Sequence, residues 1–299
     1  MRKNVGKIVR KDARNDMRKN VGKIVKHGAL ICLGLVLAVQ VRQVLAAGEF
    51  RPLGGRASGM SGIAVAVPDY WSAANNQAAN AWNEGIFCGV FFENRYMVQE
   101  LSYTSLLFTA CIRPGSISFI CSHFGTGVYS EFKSGIGYAK KFGRFFSAGV
   151  QLNYYRFQIS DSYGSKNIFN CEIGLMFKPG KQVRVGFHCI NPVPVKLSET
   201  SGESLPTLLQ LGLAYYFTDD LMLSAEIEKD PVSKACARIG AEYRFAKVLS
   251  ARAGIATGPF RLSIGAGIVI SRFSLDFASE YNQVLGFSPA VSLQYKLRK

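Results

Sequence analysis

The chain has no Cys-x-x-Cys pair, no Gly-x-Ser-x-Gly elbow, no glycine-rich phosphate loop and only three histidines in 299 residues. These absences remove the common zinc, nucleophile-elbow and nucleotide sites, so no metal and no cofactor is expected. There is also no apolar run of the roughly 20 residues that a spanning helix needs. The longest, Gly28 to Val41 with only Gln40 polar, stops at Arg42. Acidic residues are scarce, 20 against 36 Lys/Arg, but the imbalance is local. Residues 1 to 47 hold eleven Lys/Arg and two Asp/Glu, so a net +9 (11 minus 2) of the formal +16 lies there and +7 remains. On the remainder, Lys/Arg interleave with Asp/Glu and form no basic stripe, which excludes a nucleic-acid partner.

Residues 1 to 47 read as a signal peptide with a duplicated basic extension, closed by the small residues Ala46 and Ala47. The nine residues MRKNVGKIV occur at Met1 and again at Met17, which makes Met17 an alternative start. Six cysteines follow, at 88, 111, 121, 171, 189 and 236, without a disulfide framework in their spacing. A two-residue turn at Pro179-Gly180 would set Cys171 opposite His188 and turn Cys171 and Cys189 to different faces, so free thiols in a wall are expected.

What the chain does have is a period of two from Ile86 to its end. Ala148, Val150, Leu152 and Tyr154 alternate with Ser147, Gly149, Gln151 and Asn153; Phe273, Leu275 and Phe277 alternate with Arg272, Ser274 and Asp276. Turn signals such as Arg113-Pro-Gly, Lys178-Pro-Gly and Thr257-Gly-Pro cut this region into about fourteen segments of 9 to 13 residues. The expected strands are 86–95, 100–112, 115–124, 131–142, 145–157, 168–178, 181–190, 206–218, 221–229, 235–246, 248–256, 260–270, 272–280 and 287–297. The fold class is therefore all-β, a transmembrane antiparallel β-barrel over 86–299, in which the first and last strands pair because an open edge in lipid would leave backbone groups unsatisfied. The period places Arg184, His188, Glu226, Glu228, Arg238, Glu242, Arg244, Arg261, Arg272, Asp276 and Glu280 on the face away from lipid. That face must be the lumen, since a charge at the bilayer midplane costs about 2–4 kcal/mol. The longest connections expected are Asn191 to Leu205, Asp161 to Asn167 and Tyr281 to Gly286.

Residues 48–85 carry no alternation and too little bulk for a core of their own, but would fill a lumen too wide for wall side chains alone. They are expected to form an N-terminal luminal plug, with a short helix between Trp71 and Trp82 and with Arg56, Asp69 or Glu84 tied to the luminal charges. The run Gly55-Arg-Ala-Ser-Gly-Met-Ser-Gly, then Asp69, then Ser72-Ala-Ala-Asn-Asn-Gln-Ala-Ala resembles the opening of FadL/PorV-type outer-membrane proteins. Those proteins have a Gly-Ala-Arg-x-x-Gly-Met-Gly-Gly-like stretch, an Asp, and Asn-Pro-Ala; Gln77 stands here in place of the proline. The ending Asp276-Phe-Ala-Ser-Glu-Tyr to Val291-Ser-Leu-Gln-Tyr is similar to that of PorV-like members.

The resemblance implies a monomer in the outer membrane of a Gram-negative-type bacterium, surrounded by outer-membrane lipid, with Arg56, Gly59, Met60, Gly62, Asp69 and Asn76 in a hatch. It implies one of two jobs. FadL-type members pass hydrophobic or amphipathic small molecules across the outer membrane; PorV-like members are partners of secretion-system proteins of a type IX-like machine and transport nothing themselves. A catalytic role is not expected: a barrel hydrolase would need a Ser/His pair at the lipid boundary, and Ser105 beside His123 is the one juxtaposition that suggests it.

Overall fold

The computed structural model describes residues 50–159, 164–193, 195–196, 204–205, 207–231 and 234–298. The expected signal peptide at 1–47 lies outside the described residues. Fourteen strands close into an antiparallel barrel: β1 Gly85–Asn94, β2 Ser102–Ile112, β3 Gly115–Thr126, β4 Tyr129–Phe142, β5 Phe146–Ile159, β6 Ser165–Phe177, β7 Val183–Ile190, β8 Leu208–Tyr216, β9 Leu221–Lys229, β10 Cys236–Phe245, β11 Leu249–Ala256, β12 Arg261–Ile270, β13 Phe273–Asn282 and β14 Gly286–Arg298. Each pairs with its neighbours in sequence, and β1 closes on β14 through pairs such as Val90 with Leu293. All fourteen expected strands are present, with ends moved by at most three residues.

The period of two is the period of burial. Val150 and Leu152 are 50% and 69% exposed on the outside of β5, whereas Gln151 and Asn153 between them are 1% and 2% exposed. The apolar face looks outward to lipid and the polar face inward. Aromatic pairs mark both rims: Tyr215 with Phe217, Tyr243 with Phe245 and Phe273 with Tyr295 at one end, and Tyr281 with Phe287 at the other. The end that holds the start of β1 and the end of β14 has connections of two to five residues; the opposite end carries the long connection between β7 and β8.

Two local expectations are corrected. The connection between β6 and β7 spans residues 178–182, and Lys178 donates its backbone N–H to the Phe145 carbonyl at 2.7 Å. The register therefore pairs Cys189 with Ile173 and His188 with Gly174. It is displaced by an odd number of residues from that of a two-residue turn, so Cys171 and Cys189 share the outer face. Both are free thiols. Ser105 faces inward, buried, and donates to Ser122 Oγ at 2.8 Å, while His123 is paired with Thr104 and points outward. The wall separates the two, so no Ser/His pair exists there.

Residues 53–81 are almost entirely buried inside the barrel. Their regular structure is three single turns, α1 Gly55–Ser58, α2 Ser72–Asn75 and α3 Gln77–Asn80. The single helix expected from Trp71 to Trp82 is interrupted at Asn76, which is extended (φ −161°, ψ 103°). Its side-chain oxygen caps α3 by accepting from Ala78 N at 3.1 Å, and its amide donates to the Val65 carbonyl at 2.7 Å. An N-cap requires that non-helical backbone. Gln77 then occupies the first helical position, which suits proline elsewhere; here its amide reaches Glu172 at 2.8 Å.

Candidate functional site

A segment with so little regular structure leaves many peptide groups without partners, and a buried peptide group must find one. The inward faces of the strands supply them. Glu226 of β9 accepts from both Ala64 N and Val65 N at 3.0 Å. Ser292 of β14 accepts from Gly55 N at 3.0 Å, and Ser147 of β5 donates to the Ala78 carbonyl while accepting from Trp82 Nε1, both at 2.8 Å. Within the segment, Asn75 closes a two-bond ring with the Leu53 backbone at 2.7 and 2.8 Å.

Charge holds the same contact. Arg56 is bidentate on Glu242 of β10, with Nε and Nη2 each 2.7 Å from an oxygen, and its Nη1 donates to the Pro68 carbonyl at 3.1 Å. Glu242 also accepts from Arg252 Nε of β11 at 2.7 Å, and Arg252 Nη1 lies 2.6 Å from Asp276 of β13. Around the wall, Arg238 bridges Glu226 and Glu228 at 2.8 Å each, Gln210 donates to Glu228 at 2.7 Å, and His188 Nδ1 lies 3.1 Å from Gln210. Glu172 of β6 is met by Lys133 of β4 at 2.7 Å and stands 3.2 Å from His188 Nε2. Arg51 reaches Glu93 at 2.5 Å and Glu280 at 3.4 Å, and Arg261 joins Glu280 at 3.3 Å. Charges removed from water are tolerable only when paired in this way.

The luminal residues named from sequence thus divide. His188, Glu226, Arg238, Glu242 and Asp276 are buried inside, and Arg261 and Arg184 are half-buried at the two ends of the lumen. Arg244 is exposed at the rim, 3.8 Å from Glu242, and Arg272 sits in an exposed turn, donating to the Leu297 carbonyl at 3.4 Å; both lie at the short-turn end of the barrel, beyond the enclosed lumen. Of the residues expected in a hatch, Arg56 and Asn76 bind the wall directly, fully buried Met60 packs with Ile63 and Met222, and Gly59 lies against Gly265 of β12. Gly62 takes φ +86°, a turn open to few other residues. Among the described residues Asp69 forms no ion pair with the wall: its backbone N–H donates to Ser72 Oγ at 2.7 Å and its carboxylate accepts from that hydroxyl at 3.3 Å. Burial raises its pKa to about 6, against the pull of Arg56 and with help from Asp276. Glu84 is exposed below the segment and takes no part.

Lys133, Glu172 and Arg252 were not among the expected charges, although the period of two places each with inward neighbours such as Gly135, Asn170 and Ser250. Arg51 had no such signal, because the segment has no period.

Between Phe50–Leu53 and strands β2 to β5 lies a cavity of about 470 Å³ including its open mouth, of which the enclosed part is water-sized. Phe50, Leu53, Tyr103, Phe124 and Tyr155 give it an aromatic and apolar wall, and Lys133, Arg51 and Glu131 a charged one. Elsewhere the contact is close-packed. A Cβ on Gly174 would collide with Asn76 Oδ1, and one on Gly186 with the Val65 carbonyl, so the wall is glycine where the segment presses on it.

No protein-family model and no curated protein matches the sequence. Solved structures match the fold. The chain is similar to the CymD monoaromatic hydrocarbon channel, with a TM-score of 0.68 and 13% identity over 83% of this chain and 98% of that one. It is similar also to a FadL homologue of Pseudomonas aeruginosa (0.64; 14%; 82% and 98%) and to the toluene transporter TbuX of Ralstonia pickettii (0.62; 13%; 83% and 98%).

Proposed function

We propose that this protein is an outer-membrane channel for hydrophobic or amphipathic small molecules, closed in this structure by residues 50–84, which act as a hatch. The observation that carries the reading is the aromatic-lined cavity between Phe50–Leu53 and the wall, on a barrel whose fold is that of hydrocarbon channels. Such a cavity, with an aromatic and apolar wall facing a charged one, suits a small ligand of mixed character. Its enclosed part is too small for one, so passage requires the segment to shift. Reversible fastening suits that requirement: residues 50–84 contain no cysteine, and their contact with the wall consists of ion pairs, hydrogen bonds and packing.

The test is uptake of labelled toluene and of a labelled long-chain fatty acid by cells that lack channels of their own, with and without this protein in the outer membrane. Faster uptake of either supports the reading. Unchanged uptake, together with a stoichiometric protein partner on purification, would overturn it in favour of a secretion role.

A further inference from the structure

At the short-turn end of the barrel three cations come together without a carboxylate in ion-pair contact among the described residues, although Glu84 lies at the same mouth and acts with Lys141 on Cys111. Lys178, just after β6, holds its ammonium 4.1 Å from the ring centre of Trp82, and Lys141 of β4 holds its own 4.6 Å from the same ring. Arg184 of β7 lies 4.0 Å over the Tyr216 ring and donates to the Tyr216 hydroxyl at 2.6 Å, while its Nε is buried with no hydrogen-bond partner. None of the three forms an ion pair among the described residues. Elsewhere in the lumen the cations Arg51, Arg56, Lys133, Arg238, Arg252 and Arg261 each sit within 4 Å of a carboxylate. The exception is therefore local. Aromatic faces hold these cations in place but leave their charge uncompensated, since a ring carries no net charge.

Like charges confined to one mouth repel, and the site responds. Burial, then Arg184 and Lys141, lower the pKa of Lys178 to about 8. The alternation of β4, β6 and β7 points all three side chains toward the lumen mouth rather than into lipid. Two ammonium groups and a guanidinium with a free N–H suit a phosphate oxyanion, whose several oxygens can accept from all three cations at once.

We propose that Lys141, Lys178 and Arg184, around Trp82 and Tyr216, form a phosphate-binding site at this mouth, for a soluble phosphate ester or the headgroup of an anionic phospholipid of the adjoining leaflet. The site stands apart from the aromatic-lined cavity and does not depend on what passes through the lumen.

The test is a titration of the intact barrel in nanodiscs with inorganic phosphate, at ionic strength held constant with chloride, followed by tryptophan fluorescence and phosphorus NMR line width. The expected result is a saturable response to phosphate only, weakened about tenfold or more in Lys141→Gln/Lys178→Gln and in Arg184→Gln. Binding should be retained in Lys141→Arg/Lys178→Arg and in Lys247→Gln, a cation of the same end outside the cluster. Heat-modified mobility on gels confirms that each variant is a folded barrel. Native mass spectrometry from phosphatidylglycerol against phosphatidylcholine nanodiscs separates the sources: a phosphatidylglycerol adduct lost in the glutamine variants assigns the headgroup. The absence of both a phosphate response and a lipid adduct, or equal binding by wild type and glutamine variants, would overturn the proposal.

Discussion

Arg56→Met tests how the luminal segment is fastened. The substitution keeps an unbranched stem about as far as Nε and removes two charge-assisted hydrogen bonds to Glu242 at 2.7 Å and one bond to the Pro68 carbonyl at 3.1 Å. Bonds to charged groups contribute about 1.5–3 kcal/mol each. Glu242 is not abandoned, because Arg252 still meets it at 2.7 Å, and the penalty for an orphaned buried charge is largely avoided. Burying Arg56 had its own desolvation cost, so we expect a net loss of about 3 kcal/mol, or about 150-fold in the equilibrium between seated and unseated segment. Hydrogen exchange of the amides of residues 54–80 in nanodiscs reads that equilibrium directly. Protection should fall by about two orders of magnitude there and remain unchanged in the strands of the wall. In a Glu242→Gln background the same substitution should have a much smaller effect, since the partner charge is already gone. Exchange within about threefold of wild type, or an equal effect in both backgrounds, would refute the assignment of Arg56 as a principal fastener.

Three further outcomes follow from the geometry. Gly174→Val should displace α3, whose cap Asn76 lies where the new Cβ would be, and expose residues 76–80 to exchange while the barrel stays closed; unchanged protection would contradict the observed contact. Asp69 holds its proton to about pH 6 in the folded protein, above its ordinary 3.8, so the seated state gains stability as pH falls through 6 toward 4 and loses it as pH rises. Protection of the segment should therefore be greater at pH 5 than at pH 7, and Asp69→Asn should abolish the difference. Cys171 and Cys189 share the outer face but are not directly opposed, and a diagonal pair holds its Cβ atoms too far apart for a disulfide. Copper-phenanthroline oxidation should leave both thiols free, and a bridge would contradict the register.

The barrel was legible because its constraint is imposed residue by residue. Lipid on one side and a polar lumen on the other fix the character of alternate positions, so a strand such as β5 can be read from Ser147 to Tyr154 alone. The luminal segment obeys no such rule. Its shape is set by wall groups distant in sequence: Glu226 fixes Ala64 and Val65, Ser292 fixes Gly55, and Glu172 takes Gln77. Composition suggested that this segment needs a lumen, but not that Asn76 would break its helix in two. The cysteine faces failed for a related reason. A turn that looks like two residues, Pro179-Gly180, lies within a connection of five, and an odd displacement of register reverses every face beyond it. Lys133 and Glu172 show the reverse case, since the period already pointed both inward. Only the fold shows that Asn153 and Lys133 both meet Glu172, at 2.8 and 2.7 Å.

The central claim, that molecules pass only when residues 50–84 move, is tested most directly by locking the segment to the wall. Ser61 and Ser263 of β12 face each other with their hydroxyls 2.8 Å apart, close enough for a disulfide in a Ser61→Cys/Ser263→Cys variant whose native cysteines are replaced. The account predicts that the oxidised variant loses toluene uptake and that a reductant restores it. Full uptake with the bridge intact would contradict it.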